Sequence, residues 1–180
     1  MRIYTKAGDD GTTGLFLGGR VRKSDALMEA CGDLDEAVAV LGLARSQAPS
    51  PLDESLLARQ RELFVVAADL ATNPDHRDRL VPGVSLVTDE MVTELEHLID
   101  QAVARRPLRP VFVVPGATPL SAALDHARTV IRRAERHSVA TAELHPVSPD
   151  VLRYLNRLSD LVFVLAREAA GDAEEPPSHE

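Results

Sequence analysis

Three proline-bearing links cut the chain into lengths that constrain its fold more than any other feature: APSPLD at 48–53, RPLRP at 106–110 and HPVSPD at 145–150. Proline has no amide hydrogen and its ring clashes with the preceding turn, so no helix runs through these links. Between them apolar residues recur every three or four positions, which is the helical period. Leu27, Ala30, Leu34, Val38 and Leu41 predict a helix over roughly 25–47, with Ser24 as its cap. Leu56, Leu57, Leu63, Phe64, Ala67 and Leu70 predict a second over about 52–72. Met91, Leu95, Leu98, Ile99 and Ala102 face inward from a third, 89–105, capped by Thr88. A fourth is expected over about 119–143. The fifth opens at Pro149, behind the cap Ser148, and ends near 169 before Gly171. TNPDHRDRLVPGVSL reads as a loop. VFVVPGAT, at 111–118, is a short β-branched run with no obvious partner except the first residues of the chain.

Aromatic residues are only 3% and there is no Trp, so the core must be Leu, Val, Ala and Ile. The expected fold class is all-α, a five-helix up-and-down bundle with a glycine-rich N-terminal loop. At 180 residues one core is expected, in a domain of residues 1–170, followed by a disordered acidic tail at 171–180. The wide apolar faces predict burial on more than one side, including between subunits.

Composition also removes function classes. A net charge of -8 argues against general nucleic-acid binding. No apolar run approaches a membrane span and no secretory signal is recognisable, so a cytoplasmic protein is expected. Cys31 is the only cysteine, which rules out an internal disulfide and a Cys-based zinc site; it reads as a small buried residue on an apolar helical face. Glu94 and His97 supply half of a di-iron bundle motif, but no second Glu-x-x-His exists. No protein-held metal site is expected, and no G-x-S-x-G nucleophile motif occurs.

Three segments could carry chemistry. TKAGDDGTTG, at 5–14, offers glycine backbone amides, Lys6 and three threonines to a phosphate, although it lacks the ordinary P-loop spacing. An exposed flexible leader is the plainer alternative, and Asp9 and Asp10 repel phosphate unless a cation or an arginine intervenes. HARTVIRRAERHS, at 126–138, places Arg128, Arg132 and Arg136 in one helical row. That row is either a phosphate grip or a solvated face with local ion pairs. In YLNRLSDL, at 154–161, Asn156 either orients a magnesium–phosphate unit or bridges to a neighbouring helix.

Taken together, YTKAGDDGTTGLFLGGRVRKSD, FVVPGAT with HARTVIRRAER, and YLNRLSDLVFVLAR resemble the ATP:cob(I)alamin adenosyltransferases of the propanediol-utilisation type. The resemblance covers about residues 2–168. It implies a homotrimeric five-helix bundle with sites between adjacent subunits. It implies transfer of the 5′-deoxyadenosyl group of ATP to cob(I)alamin, with release of tripolyphosphate. The corrinoid cobalt is then the nucleophile, so no catalytic Ser, Cys or His is needed.

Carried onto this chain, the resemblance assigns ATP, with Mg²⁺, to Thr5, Lys6, Gly8, Thr13, Lys23, Arg132, Glu135, Arg136 and Asn156. It pairs Arg128 with Asp35, in GDLDE, across the subunit seam. It sets Phe112 beneath the corrin, where exclusion of the lower axial ligand favours four-coordinate cobalt before reduction. Asp10 and Ala117 depart from the family's usual residues, and Asp125 and Ile131 stand at variable positions. Arg133 receives no role. A reductase and an adenosylcobalamin-dependent mutase are the expected partners. The alternatives are a non-catalytic trimeric carrier of adenosylcobalamin, another ATP-dependent nucleotidyl or phosphoryl transferase, and a purely structural bundle.

Overall fold

The computed structural model describes residues 3–171, 173 and 175–179, and it is mostly helical. Five α-helices follow one another: α1 Ala26–Arg45, α2 Leu52–Leu70, α3 Asp89–Arg105, α4 Pro119–Ala142 and α5 Pro149–Ala169. The proline links fall between them as expected. Two additions lie in the segments read as loops. The glycine-rich leader holds a two-stranded antiparallel hairpin, β1 Thr12–Gly14 with β2 Arg20–Arg22. A 3-10 helix, Pro74–Arg79, sits between α2 and α3. Its start carries an ordinary signal: the Asn73 side chain accepts the Asp75 amide, and Pro74 follows.

Caps fix the helix starts. Asp25, and not Ser24, caps α1 by accepting the Leu27 amide at 2.9 Å. Thr118 and Ser121 form a reciprocal capping box on α4, with Pro119 in its first turn. Thr88 and Ser148 occupy the cap positions of α3 and α5, but neither makes a side-chain cap bond to its helix backbone. Gly171 adopts φ 59° just beyond α5, a left-handed conformation that halts the helix at little cost for glycine.

α4 is the central element, packed between α1 and α5. Leu27, Ala30, Leu34, Ala37, Leu41 and Ala44 line the buried face of α1, spaced alternately three and four apart. They meet Leu124, Ala127, Val130, Ile131 and Ala134 within the same core. Small residues on both sides let the helices approach closely, and roughly 25 cal/mol per Å² of apolar surface withdrawn from water drives that packing.

Contacts between side chains set the directions. Asp33 of α1 meets Arg133 and His137 of α4, while Thr141 near the end of α4 reaches back to Ala26 at the start of α1, so the two run antiparallel. Glu96 and Arg105 of α3 pair with Arg157 and Glu168 of α5, so those two run side by side in one direction. α2 packs on α1, where Gln60 donates to the Val38 carbonyl, and meets α5 through the buried Tyr154 hydroxyl, which donates to Glu62.

Asp69 anchors the α2–α3 connection. It is fully buried, accepts from Arg77 at 2.6 Å and accepts the Val87 amide at 3.0 Å. Phe64 departs from its expected apolar stripe and is 62% exposed. Residues 175–178, expected in a frayed tail, instead lie along the α3–α4 connection, and the run at 111–114 pairs with them rather than with the chain's start.

Candidate functional site

The arginine row of α4 divides by partner. Arg133, to which sequence reasoning gave no role, is structural: Nε donates to Asp33 at 2.9 Å and a terminal nitrogen reaches Glu36. His137 meets the other oxygen of Asp33 at 2.5 Å. Asp33 is itself buried, so this cluster ties α1 to α4. Arg132 and Arg136 lie on the exposed side. Among the described residues neither has a carboxylate within ion-pair distance; Arg136 donates only to the Arg132 carbonyl, at 3.2 Å.

Two free guanidinium groups one helical turn apart, on an acidic chain, form a local anion site. Arg132, Glu135, Arg136, Val139 and Asn156 line an open cleft of about 300 Å³ between α4 and α5. Asn156 bridges the two helices: its amide nitrogen donates to Glu135 at 3.1 Å, and its oxygen accepts from Arg157 at 2.6 Å. Arg157 is held in turn by Glu96 of α3 at 2.9 Å. The bridging alternative for Asn156 is therefore the observed arrangement in this chain, and it keeps Glu135 away from the arginines.

The glycine-rich leader forms a second open cleft, of about 450 Å³, lined by Asp10, Gly11, Thr12, Arg22, Lys23 and Ser24. Lys6 takes φ 62° and Gly11 φ 82°, so the loop is tightly turned. Gly8 has a packing reason to be glycine. A Cβ there would lie 3.0 Å from the Thr12 carbonyl oxygen and 3.2 Å from the Lys23 ammonium nitrogen. The missing side chain thus brings backbone and ammonium together.

Arg20 is the arginine that stands beside Asp10. It donates twice to the Thr12 hydroxyl and once to the Ala7 carbonyl, and lies 3.8 Å from Asp10. The hydroxyl and amide of Thr12 both donate to Asp10 and hold its carboxyl below its usual range. Thr5 and Lys6 are exposed, whereas Thr13 is half-buried opposite Val21 in the hairpin.

Within one chain these two clefts share no lining residue. Thr5, Lys6, Gly8, Thr13 and Lys23 stand on the leader; Arg132, Glu135, Arg136 and Asn156 stand on α4 and α5. The remaining two assignments occupy other faces. Phe112 is 87% exposed on the α3–α4 connection. Arg128 meets Asp125 of its own helix at 3.3 Å and lies 5.8 Å from the Phe163 ring centre, while Asp35 is exposed and makes no ion pair among the described residues. Sequence reasoning missed Arg20 and Arg157, which set the charge balance of the two clefts. Their signal was present: an arginine beside the Asp-rich loop, and an arginine adjoining Asn156.

A helical fold with two arginines unpaired among the described residues on one helix face, and a glycine-built loop that carries Lys23, is that of an anion-binding protein. The profile of the cobalamin adenosyltransferases matches residues 3–169, and the chain belongs to that family. A corrinoid adenosyltransferase of Mycobacterium tuberculosis is 44% identical over 96% of this chain and 91% of its own length. One from Bacillus subtilis is 39% identical over 97% and 92%. Among solved structures, a phenylalanine-to-alanine variant of the PduO-type ATP:corrinoid adenosyltransferase of Lactobacillus reuteri, complexed with cobalamin and ATP, superposes with a TM-score of 0.89. It is 32% identical and is covered over 100% of its chain and 99% of this one. An arginine-to-lysine variant of that enzyme, complexed with ATP, gives 0.85 at 35% identity, over 97% of this chain and 98% of its own.

Proposed function

We propose that this enzyme binds ATP and a cobalamin and moves the 5′-deoxyadenosyl group from ATP to the reduced cobalt, releasing tripolyphosphate. The single observation that carries the reading is the pair Arg132 and Arg136, without a carboxylate partner among the described residues of an acidic chain, at the cleft that Asn156 and Glu135 bridge. The leaving group gains negative charge as the C–O bond to the 5′ carbon breaks. Guanidinium groups already in place stabilise that charge without reorganising at the moment of reaction. The corrinoid is a substrate, so its cobalt supplies the nucleophile and the protein supplies position and charge.

Mg²⁺ enters this scheme with the nucleotide. Among the described residues no three His, Cys, Asp or Glu side chains gather into a cage. The phosphate oxygens would chiefly hold the ion, with Glu135 as the nearby carboxylate. Asn156 would contribute its amide oxygen through the lone pair that Arg157 leaves open.

The separation of the leader from the α4–α5 cleft supports a homotrimer in which the leader of one subunit completes the ATP site of the next. Leu43, Phe64 and Val139, all about half exposed or more on α1, α2 and α4, are apolar surface that such contacts would cover. Asp35 would then be free to meet Arg128 of an adjacent subunit. Phe112, exposed on its connection, would pack under the corrin and favour four-coordinate Co(II) before reduction. The chemistry requires a one-electron donor to supply Co(I) and an adenosylcorrinoid-dependent enzyme, such as a mutase, to use the product.

The test is incubation with ATP, Mg²⁺ and chemically reduced cobalamin. A Co–C absorbance spectrum with stoichiometric tripolyphosphate is expected. Release of pyrophosphate, or tight corrin binding with no Co–C product, would sink the reading. The second outcome would indicate a carrier.

A further inference from the structure

Residues 111–114 carry the candidate corrin-facing side chain on an exposed connection: Val111 is 46%, Phe112 87% and Val114 48% exposed. Among the described residues, the backbone of this stretch makes two hydrogen bonds, and both go to the C-terminal segment. The Val114 amide donates to the Pro176 carbonyl at 2.8 Å, and the Ser178 amide donates to the Phe112 carbonyl at 2.8 Å. Val113 and Pro177 stand opposite each other as an antiparallel bridge. This segment lies beyond residue 169, where the match to the family profile ends.

The segment is held down by charge. Glu175 is only 5% exposed and puts a carboxylate oxygen 3.1 Å from Arg167 Nε. Arg109 donates to the Glu175 carbonyl at 3.1 Å, and Arg106 donates to the Gly171 carbonyl. Arg106, Arg109, Arg167 and Glu175 together line a small cavity of about 40 Å³. Arg167 alone reaches the carboxylate, while Arg106 and Arg109 grip backbone carbonyls of the segment; burial raises the Glu175 carboxyl above its usual range against the pull of Arg167. The anchor continues inward, because Arg167 also pairs with Asp125, which Arg128 shares.

We propose that Glu175 is a positioning residue: seated among Arg106, Arg109 and Arg167, it straps residues 176–178 along the 112–114 stretch and fixes the backbone that presents Phe112. Without the strap, that backbone loses both of its hydrogen bonds and Phe112 swings with a free loop. A ring that must exclude an axial ligand cannot act from a disordered position, since misplacement by about 1 Å costs on the order of a hundredfold in comparable cases. The inference rests on the reading that Phe112 faces the corrin.

Two variants test it, Glu175→Gln and a chain ending at Ala173. Both lie outside the ATP cleft, and circular dichroism checks that the helical core is retained where Arg167 loses a partner. In each, hydrogen exchange at the Val114 amide should accelerate roughly tenfold or more as the bond to Pro176 is lost. The KM for Co(II)-derived corrin should rise roughly tenfold while the KM for ATP stays within about twofold. The absorbance of four-coordinate Co(II) in the ATP complex should weaken, and Glu175→Asp should recover part of it. Unchanged exchange at Val114 overturns the strap. Accelerated exchange with unchanged corrin kinetics and spectrum overturns its functional role. Phe112→Ala is measured alongside. If it lowers Co(II) turnover while Glu175→Gln does not, the strap fails and the Phe112 reading stands. If Phe112→Ala has no effect, the Phe112 reading itself fails.

Discussion

Arg132 and Arg133 are neighbours in sequence, share a charge and differ in everything around them. Replacing each by alanine should therefore give opposite results. Arg132 is exposed and has no carboxylate partner among the described residues, so its loss strands no buried charge, and the melting temperature should hold within about 1 °C. If it stabilises the departing triphosphate, its loss removes one of the two free guanidinium groups at the cleft. Removal of a single donor to a developing anion costs about 2.7–4 kcal/mol, so kcat should fall on the order of a hundredfold to a thousandfold. The KM for ATP should also rise, because the ground-state triphosphate loses a contact.

Arg133→Ala leaves the turnover machinery in place but strips Asp33, 6% exposed, of one of its two partners. The melting temperature should fall measurably and kcat should stay within about twofold. Steady-state assays with chemically reduced cobalamin, paired with thermal melts monitored by circular dichroism, read both quantities on the same preparations. Equal kinetic losses in the two variants would refute the division. So would a destabilised Arg132→Ala with normal kcat.

Asp69→Ala should be the most damaging core change: it leaves the Val87 amide and Arg77 without the buried acceptor between α2 and α3. Loss of a buried charged partner costs about 3 kcal/mol, hence a drop of about 6–12 °C in the melting temperature; a drop under 2 °C would contradict the anchor. Burial pushes the Cys31 thiol up to about 11, against 9.0 for a free thiol. Iodoacetamide should accordingly label the folded protein far more slowly than the urea-unfolded one at pH 8. The raised value also means that stability from this group is intact below about pH 9 and fades as pH climbs through about 11; rapid native labelling would show the thiol to be accessible. Asp35→Asn should raise the monomer fraction in sedimentation and reduce corrin turnover, and an intact, fully active oligomer would argue against the inter-subunit pair.

The helices were legible because their signals are local. Proline links, alternating three-and-four apolar spacing and cap residues all act within a turn or two, and the helix bounds fell within two residues of expectation. The choice of Asp25 over Ser24 as cap was less so, since Asp25 is also fixed by His145, 2.9 Å away on the far side of the sequence. The arginine row was visible as a row, but its division was not. Which arginine faces solvent depends on where Asp33 and Glu36 of α1 lie, about a hundred residues upstream. The tail was misjudged for the same reason. Acidic, proline-containing composition suggests a frayed end, yet Glu175 finds three arginines contributed by α5 and the α3–α4 connection. Asn156 left two readings open until Glu135 and Arg157 were seen on either side of it.

α4 has a consequence as a measuring rod. Arg132 and Arg136 sit in its middle, and Thr141 near its end holds the Ala26 carbonyl at the root of the leader. From Arg132 to Thr141 an α-helix advances about 13 Å at 1.5 Å per residue, and the spacing has no other adjustable part. Changing a side chain along this stretch alters the strength of a contact. Deleting one residue there would instead rotate the leader's root by about 100° around the axis and draw it about 1.5 Å closer. The Lys23 ammonium and its glycine-built loop would then change direction relative to Arg132 and Arg136. Between Arg136 and Thr141 the exposed positions Val139 and Ala140 should accept substitution, and no position should accept a change of length.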